Sequence, residues 1–253
     1  MRRLALAAAP LLMAQAPAAK PVLVPDVSQR QIDIKYSFTG ADLLSFGAIL
    51  YPGGRVPAER DADIVVVVKG PAQPILVREK QKIAGIWVNA ASMRYLSAPS
   101  FYAIASSKPI GDLLDERSRA IYELGLDSLQ LSPASGADTR AQDRFARGLV
   151  DLRERAGLYY EAPGAVEISD GVLYRARISI PARVPVGRYT AETFLIRRGR
   201  VLAVAVRDID IRKTGFERFV ARQAERRSFA YGLTAVAMSV LLGWAAGWLA
   251  RRG

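Results

Sequence analysis

The chain contains no cysteine and no histidine, and Asn89 is its only asparagine. Without cysteine there is no disulfide framework, no thiolate nucleophile and no Cys-ligated zinc site. Without histidine the commonest general base and the commonest metal ligand are gone, and a Ser-His-Asp triad cannot be assembled. An enzyme built from this sequence would have to work with Asp, Glu, Lys, Arg, Ser, Thr or Tyr. Acid is scarce as well: 24 Asp+Glu stand against 36 Lys+Arg, for a formal net charge of +12. Arginine far outnumbers lysine and alanine abounds, which fits a GC-rich codon bias with the arginines spread over solvated faces. The familiar catalytic strings are missing too: no G-x-S-x-G, S-x-x-K, G-x-G-x-x-G or P-loop occurs. Asp61-Ala-Asp63 and Asp208-Ile-Asp210 are the D-x-D pairs, but neither has the glycine and distal glutamate of a calcium loop, and both sit beside arginines. No metal, cofactor or catalytic residue is expected from this pattern.

What is present begins at the two ends. Arg2 and Arg3 precede the short apolar run Leu4 to Met13, and small residues at Ala14, Ala16 and Ala18 follow, so residues 1–18 read as a secretory signal peptide. Ser228 to Ala250 carries no charge. As a helix it would be about 34 Å long, enough for the ~30 Å hydrocarbon core of a bilayer. Arginines flank both sides, with Phe229, Tyr231, Trp244 and Trp248 near the two edges, as in an aromatic belt. Gly243 and Gly247 form a G-x-x-x-G pair that would let a second transmembrane helix approach, a weak signal in an Ala/Gly-rich span. With an exported N-terminus, the bulk of the chain is expected in the periplasm, the single span at 228–250 in the inner membrane, and a cytoplasmic tail at 251–253. Between sheet and span, residues 214–227 read as a juxtamembrane amphipathic helix opened by Thr214-x-x-Glu217, a basic surface for headgroups or a rigid stalk.

From Lys20 to Arg212 the dominant period is two. Gln31 to Phe38 alternates apolar and polar, and Ile64 to Val68 is a continuous β-branched run, as in a strand buried on both faces. Further strands are expected at Ile75–Arg78, Ile83–Val88, Phe101–Ala105, Ala165–Ser169, Val172–Ile180, Arg188–Arg197 and Val201–Ile211. Asp170-Gly171 and Arg198-Gly199 mark hairpin turns, and the apolar phase shift between Val206 and Ile209 suggests a bulge or burial on both faces. Helices are expected near 110–125 and 139–157, the second opened by a Thr139-x-x-Gln142 capping box and closed by Gly157. The fold class that results is mainly β: two immunoglobulin-like sandwiches, at 20–108 and 109–212, with a helical insertion and a C-terminal transmembrane helix. One larger sandwich with a helical insertion is the alternative.

Trp87 and Tyr102 could line a ligand groove with Asn89 as its polar handle. A tryptophan on a central sandwich strand more commonly belongs to the core. Nucleic acid is not an expected partner, because the arginines are scattered and no reading motif is present.

Several strings are distinctive together: Tyr36-Ser-Phe-Thr-Gly-Ala-Asp42, Asp63-Ile-Val-Val-Val-Val-Lys-Gly-Pro71, Gly85-Ile-Trp-Val-Asn89, Pro99-Ser-Phe-Tyr102, Leu173-Tyr-Arg-Ala-Arg177, Ile180-Pro-Ala-Arg-Val-Pro-Val-Gly-Arg-Tyr189 and Lys213-Thr-Gly-Phe-Glu-Arg218. Over about residues 21 to 250 the chain resembles an alphaproteobacterial family of uncharacterised transmembrane proteins. The resemblance carries over no catalytic or binding residue. It implies, by association, an accessory role to a sulfite/sulfonate-type permease. The expectation is a membrane-anchored periplasmic accessory or scaffold module, non-enzymatic, whose partners are the inner membrane and either a membrane transporter or a second copy through the transmembrane helix. A periplasmic small-anion-binding domain and a carboxylate-based hydrolase or transferase are the alternatives.

Overall fold

The computed structural model describes residues 20–34, 40–54, 56–57, 61–134, 138–213, 232, 236–244 and 247. The expected signal peptide, the juxtamembrane helix at 214–227, the tail and much of the expected span lie outside these residues.

The elements in chain order are β1 (Val22–Val27), β2 (Gln31–Ile34), β3 (Ala41–Leu50), β4 (Ala62–Lys69), β5 (Ala72–Ile83), β6 (Ile86–Pro99), β7 (Tyr102–Ser106), α1 (Ile110–Leu113), α2 (Glu116–Tyr122), β8 (Ser132–Pro133), α3 (Thr139–Arg155), β9 (Tyr159–Pro163), β10 (Val166–Ser169), β11 (Leu173–Ile180), β12 (Gly187–Arg197) and β13 (Arg200–Lys213). The fold is mainly β. A four-stranded sheet runs β1-β3-β11-β10, a six-stranded sheet β2-β13-β12-β4-β7-β9, and a three-stranded sheet β5-β6-β8.

The first two sheets bury one core between them. Leu23, Leu43, Ile49, Tyr174 and Ile178 from the four-stranded sheet join Ile64, Val66, Leu195 and Ile209 from the six-stranded one. The division expected near residue 108 does not separate two sheets. β3 pairs with β11 and β4 with β12, so each of these sheets takes strands from both halves of the chain. The reason is burial: β3 and β4 each have two neighbours to satisfy, and both find one of them more than a hundred residues away. α1, α2, β8 and α3 stand between β7 and β9 in the chain.

Ile64 to Val68 behaves as its β-branched run requires. Each of the five is 0% exposed, because the four-stranded sheet covers one face of β4 while Leu113, Leu114, Leu124 and Leu126 belong to the same core from the helical segment. The expected single helix at 110–125 is two short ones. Asp115 adopts an extended conformation and accepts from Ser118 N–H at 3.0 Å, so it caps a new helix rather than continuing the old one. At α3 the cap is Asp138, which accepts from Arg140 N–H, in place of the expected Thr139. Phe145 and Leu149 of α3 pack on Val77, Met93 and Tyr95 of the three-stranded sheet.

Both expected hairpin turns form, with Asp170 and Gly171 at φ 54° and 69° and Arg198 and Gly199 at 49° and 73°, the positive-φ pair of a type I′ turn. The bulge of β13 sits elsewhere than expected: the register shifts where Leu195 and Ile196 face Ala203 and Val201, at Leu202. The strand expected over Ile83–Val88 is broken in its middle. Ala84 and Gly85 make a turn, at φ 49° and 87°, between two strands of 12 and 14 residues.

Candidate functional site

The residues singled out as a ligand groove do not come together. Tyr102 opens β7, the strand next to the edge strand β9 of the six-stranded sheet, and is 0% exposed, with its ring edge-on to Tyr159 at 6.0 Å. Its hydroxyl donates to the carbonyl of Glu123, the residue that ends α2, and burial pushes its pKa well above the ordinary phenol value. That is a structural tie between sheet and helix. Trp87 stands at the far end of the β5–β6 hairpin, opposite Lys82 and 66% exposed. Asn89, two residues on and opposite Lys80, shares its face. Thirteen residues of strand separate Lys69, the partner of Tyr102, from Lys82, the partner of Trp87, roughly 40 Å of ribbon.

The polar groups around Tyr102 neutralise one another. Lys69 Nζ lies 3.1 Å from Glu123 Oε2 and 3.2 Å from Glu192 Oε2, and Glu161 Oε1 accepts from Leu126 N–H at 2.6 Å. Two carboxylates thus face one ammonium across the α2–sheet junction. This arrangement clamps the helix to β4 and β12. The D-x-D pairs are held similarly. Asp61 accepts from Arg197 and Arg198, Asp63 from Ser107 at 2.8 Å with Lys108 beside it, and Asp210 from Arg212 at 2.9 Å. A cavity of about 260 Å³ next to Tyr51, Leu195 and Leu202 has one arginine in its wall, Arg197, whose guanidinium is already on Asp61. Among the described residues no group of three or more acids could hold a metal ion.

Outside the C-terminal helix, exposed apolar side chains gather in two places. One is the outer face of the four-stranded sheet. Registers set Val22 beside Leu50 and place Ala48 between Val24 and Leu173. Val22, Val24, Leu50 and Leu173 are about half exposed and Phe46 is 40% exposed. A shallow depression of about 540 Å³ opens over Gly47, walled by Phe46, Leu173 and Arg175. Arg175 is bidentate to Glu167 Oε2, at 2.8 and 2.5 Å. A signal was available in advance in β1 and β3: in both, the two phases carry apolar residues, so the side facing away from the core is greasy too, whereas β11 adds Leu173 to an otherwise polar outer phase. The other place is the hairpin tip, where Ile83, Ile86, Trp87 and Val88 are exposed.

Of the expected span, residues 232, 236–244 and 247 are helical. Val236, Met238, Val240, Leu241, Leu242 and Trp244 are all more than 60% exposed. Among the described residues no helix is long and apolar enough to cross a membrane. Gly243 and Gly247 are helical, and apart from the neighbouring residues and the helix's own backbone no described atom stands within 4 Å of the position a Cβ would take on either.

Residues 22–252 match the family described as "Putative transmembrane protein (Alph_Pro_TM)". The chain belongs to this family. The match runs from β1 through β13 and on to residue 252. No curated protein matches the chain.

Proposed function

We propose that this member of the family is a membrane-anchored periplasmic docking module, a non-enzymatic accessory to an inner-membrane partner of the sulfite/sulfonate-permease type. The observation that carries this reading is the outer face of the four-stranded sheet. Monomeric soluble domains rarely leave large side chains contiguous on a sheet face, and such patches mark interaction sites. Here Val22, Val24, Phe46, Leu50 and Leu173 form such a patch, next to the Arg175–Glu167 pair that would form part of a polar rim. Anchoring is supported by the family's description and by the uncharged run Ser228–Ala250, whose described helical portion turns apolar side chains outward. Tethering to the bilayer raises the effective concentration of any partner in that bilayer, so a patch of modest size suffices.

The immunoglobulin-like reading of the sandwich is supported by Tyr189. Its hydroxyl donates to the carbonyl of Pro185, four residues upstream, at 2.7 Å, as the tyrosine corner of such folds does.

A photo-crosslinking amino acid at Phe46 in the full chain, in its own membranes, tests the reading. The expected result is one discrete adduct with an integral membrane protein, absent when the probe is moved to Glu116 on α2, and a chain that stays in the membrane through an alkaline carbonate wash. Equal labelling from both positions, or no adduct from Phe46, would overturn the docking face. A chain released by carbonate would overturn the anchor.

A further inference from the structure

The ladder at the middle of the six-stranded sheet does not stop at the sheet's edge. β4 and β7 pair from Val65–Ser106 to Lys69–Tyr102. Gly70 N–H then donates to the Phe101 carbonyl and Ser100 N–H to the Pro71 carbonyl, and β5 and β6 take over in the same register at Ala72–Pro99. Gly70 permits the passage: a Cβ there would meet Ser100 Oγ at 2.5 Å and the Tyr189 ring at 2.8 Å. α3 covers the ribbon as far as the buried pair Val77–Met93. Beyond it, residues 80–90 are exposed without interruption.

The registers also say which way this ribbon points. β12 is antiparallel to both β4 and β13, and its Thr190 pairs with Lys69 on one side and Asp208 on the other. β4 and β13 therefore run in the same direction. The ribbon departs from the end of the sheet at which β13 finishes and the chain leaves for residues 214–253. Pro71 at the ribbon's base abuts Gly187, where a Cβ would lie 3.0 Å from Pro71 Cγ, and Gly187 pairs with Ile211. From Ala72 to Ile83 the ribbon is about 36 Å long. Fourteen residues, 214–227, connect the end of β13 to the uncharged run that begins at Ser228. A bilayer holding the C-terminal span is within the ribbon's reach.

The chemistry of the tip suits that bilayer. Arg78, Lys80 and Lys82 alternate along β5 and share a face with Arg94 and Trp87 of β6. None of these four cations has an ion-pair partner among the described residues. Glu79, the acid of this stretch, points to the other face and is taken by Arg144 at 3.1 Å. Ile83 and Ile86 flank the turn, 56% and 68% exposed. A two-stranded hairpin bare on both faces is marginal in water, so this one gains from a cover. Tryptophan favours the headgroup level of a membrane, and basic residues are drawn to anionic lipid.

We propose that the ribbon tip is a second membrane contact of the chain: Trp87, Ile83 and Ile86 enter the interfacial layer of an anionic bilayer while Lys80 and Lys82 hold headgroup phosphates. This rests on the anchored reading for the nearness of the bilayer, and on different residues for the contact itself.

The cysteine-free sequence makes the test direct. Gln81→Cys takes an environment-sensitive fluorophore in the otherwise unchanged full chain, which is reconstituted into vesicles of equal parts phosphatidylcholine and phosphatidylglycerol. The expected result is a blue-shifted label, shielded from aqueous iodide and quenched by brominated lipid. Adding Lys80→Glu and Lys82→Glu should lower the ratio of inserted to free tip at least about 30-fold, and vesicles of phosphatidylcholine alone should lower it in the same direction. If the chain floats with the vesicles while the label remains in water, the ribbon contact is overturned and the anchor stands. If the chain does not float at all, both fall. A label that is shielded in native membranes but wet in lipid vesicles would assign the tip to a protein partner and overturn the lipid contact.

Discussion

Two stretches of one ladder make the most instructive comparison in this molecule. Along β4 and β7, Ile64 to Val68 and Tyr102 to Ala105 are buried completely. The same pair of strands, continued as β5 and β6, ends in residues 80–90 with every side chain in the open. Backbone pairing is continuous across the boundary, so pairing does not distinguish the halves. What differs is cover: two layers over the first half, α3 over the base of the second, and nothing described over the tip. Secondary structure here is a carrier. Burial decides whether a given length of it supplies stability or reaches for something else.

The difference is broken most severely by alkali. Burial pushes Tyr159, Tyr160 and Tyr189 up to about 12, and Tyr102 in the same direction. All four belong to the sandwich or lie on it, and none is in the tip. A phenol whose folded pKa is raised favours the folded state while it is neutral. That contribution is intact below the ordinary value of about 10 and is lost as the pH climbs through the raised value. The sandwich should therefore lose stability progressively above pH ~10 and unfold near or beyond pH ~12. The absorbance of tyrosinate should rise together with loss of the sheet signal in circular dichroism. Titration of all tyrosines near the ordinary value, ahead of unfolding, would show that they are not packed as described.

A smaller disturbance isolates the covered half. Ile104 of β7 is 0% exposed and faces Val67 across the ladder. Ile104→Ala should cost about 3 kcal/mol, the sum of lost transfer energy and residual cavity. Denaturant unfolding of the detergent-solubilised full chain measures it. A cost below about 1 kcal/mol would mean that the helical segment does not close on this position.

How much of this was legible in advance depends on what each signal reports. The run Ile64–Val68 and the turns at Asp170-Gly171 and Arg198-Gly199 were readable because their information is local: β-branched side chains without a polar phase, and residues that tolerate positive φ. Which strands would pair was not readable. β3 must meet β11 across more than a hundred residues, and no local pattern distinguishes that partner from a nearer one. Ala84-Gly85 hid the ribbon's turn, because alanine is a poor occupant of positive φ and the flanking isoleucines look like a continuing strand. Trp87 carried no sign of its exposure, since an aromatic in a β-pattern fits a core equally well. A usable clue lay beside it: Arg78-Glu-Lys-Gln-Lys82 has no apolar phase at all, which is what a strand bare on both faces requires. Trp87 and Asn89 stand apart from Tyr102 because the ribbon between them is extended.

The finest form of the comparison is a substitution that should do almost nothing. Trp87 is the bulkiest side chain on the tip, and removing a tryptophan from a core costs about 3–5 kcal/mol. With the side chain 66% exposed and no described layer over it, Trp87→Ala should shift the unfolding free energy of the detergent-solubilised chain by no more than about 0.5 kcal/mol. A large loss would mean that the tip folds back on the sandwich and belongs with the covered half. A negligible loss would leave the indole without a folding role. A tryptophan, two isoleucines and two lysines at one end of an otherwise unsupported ribbon would then have to be accounted for by what the ribbon touches.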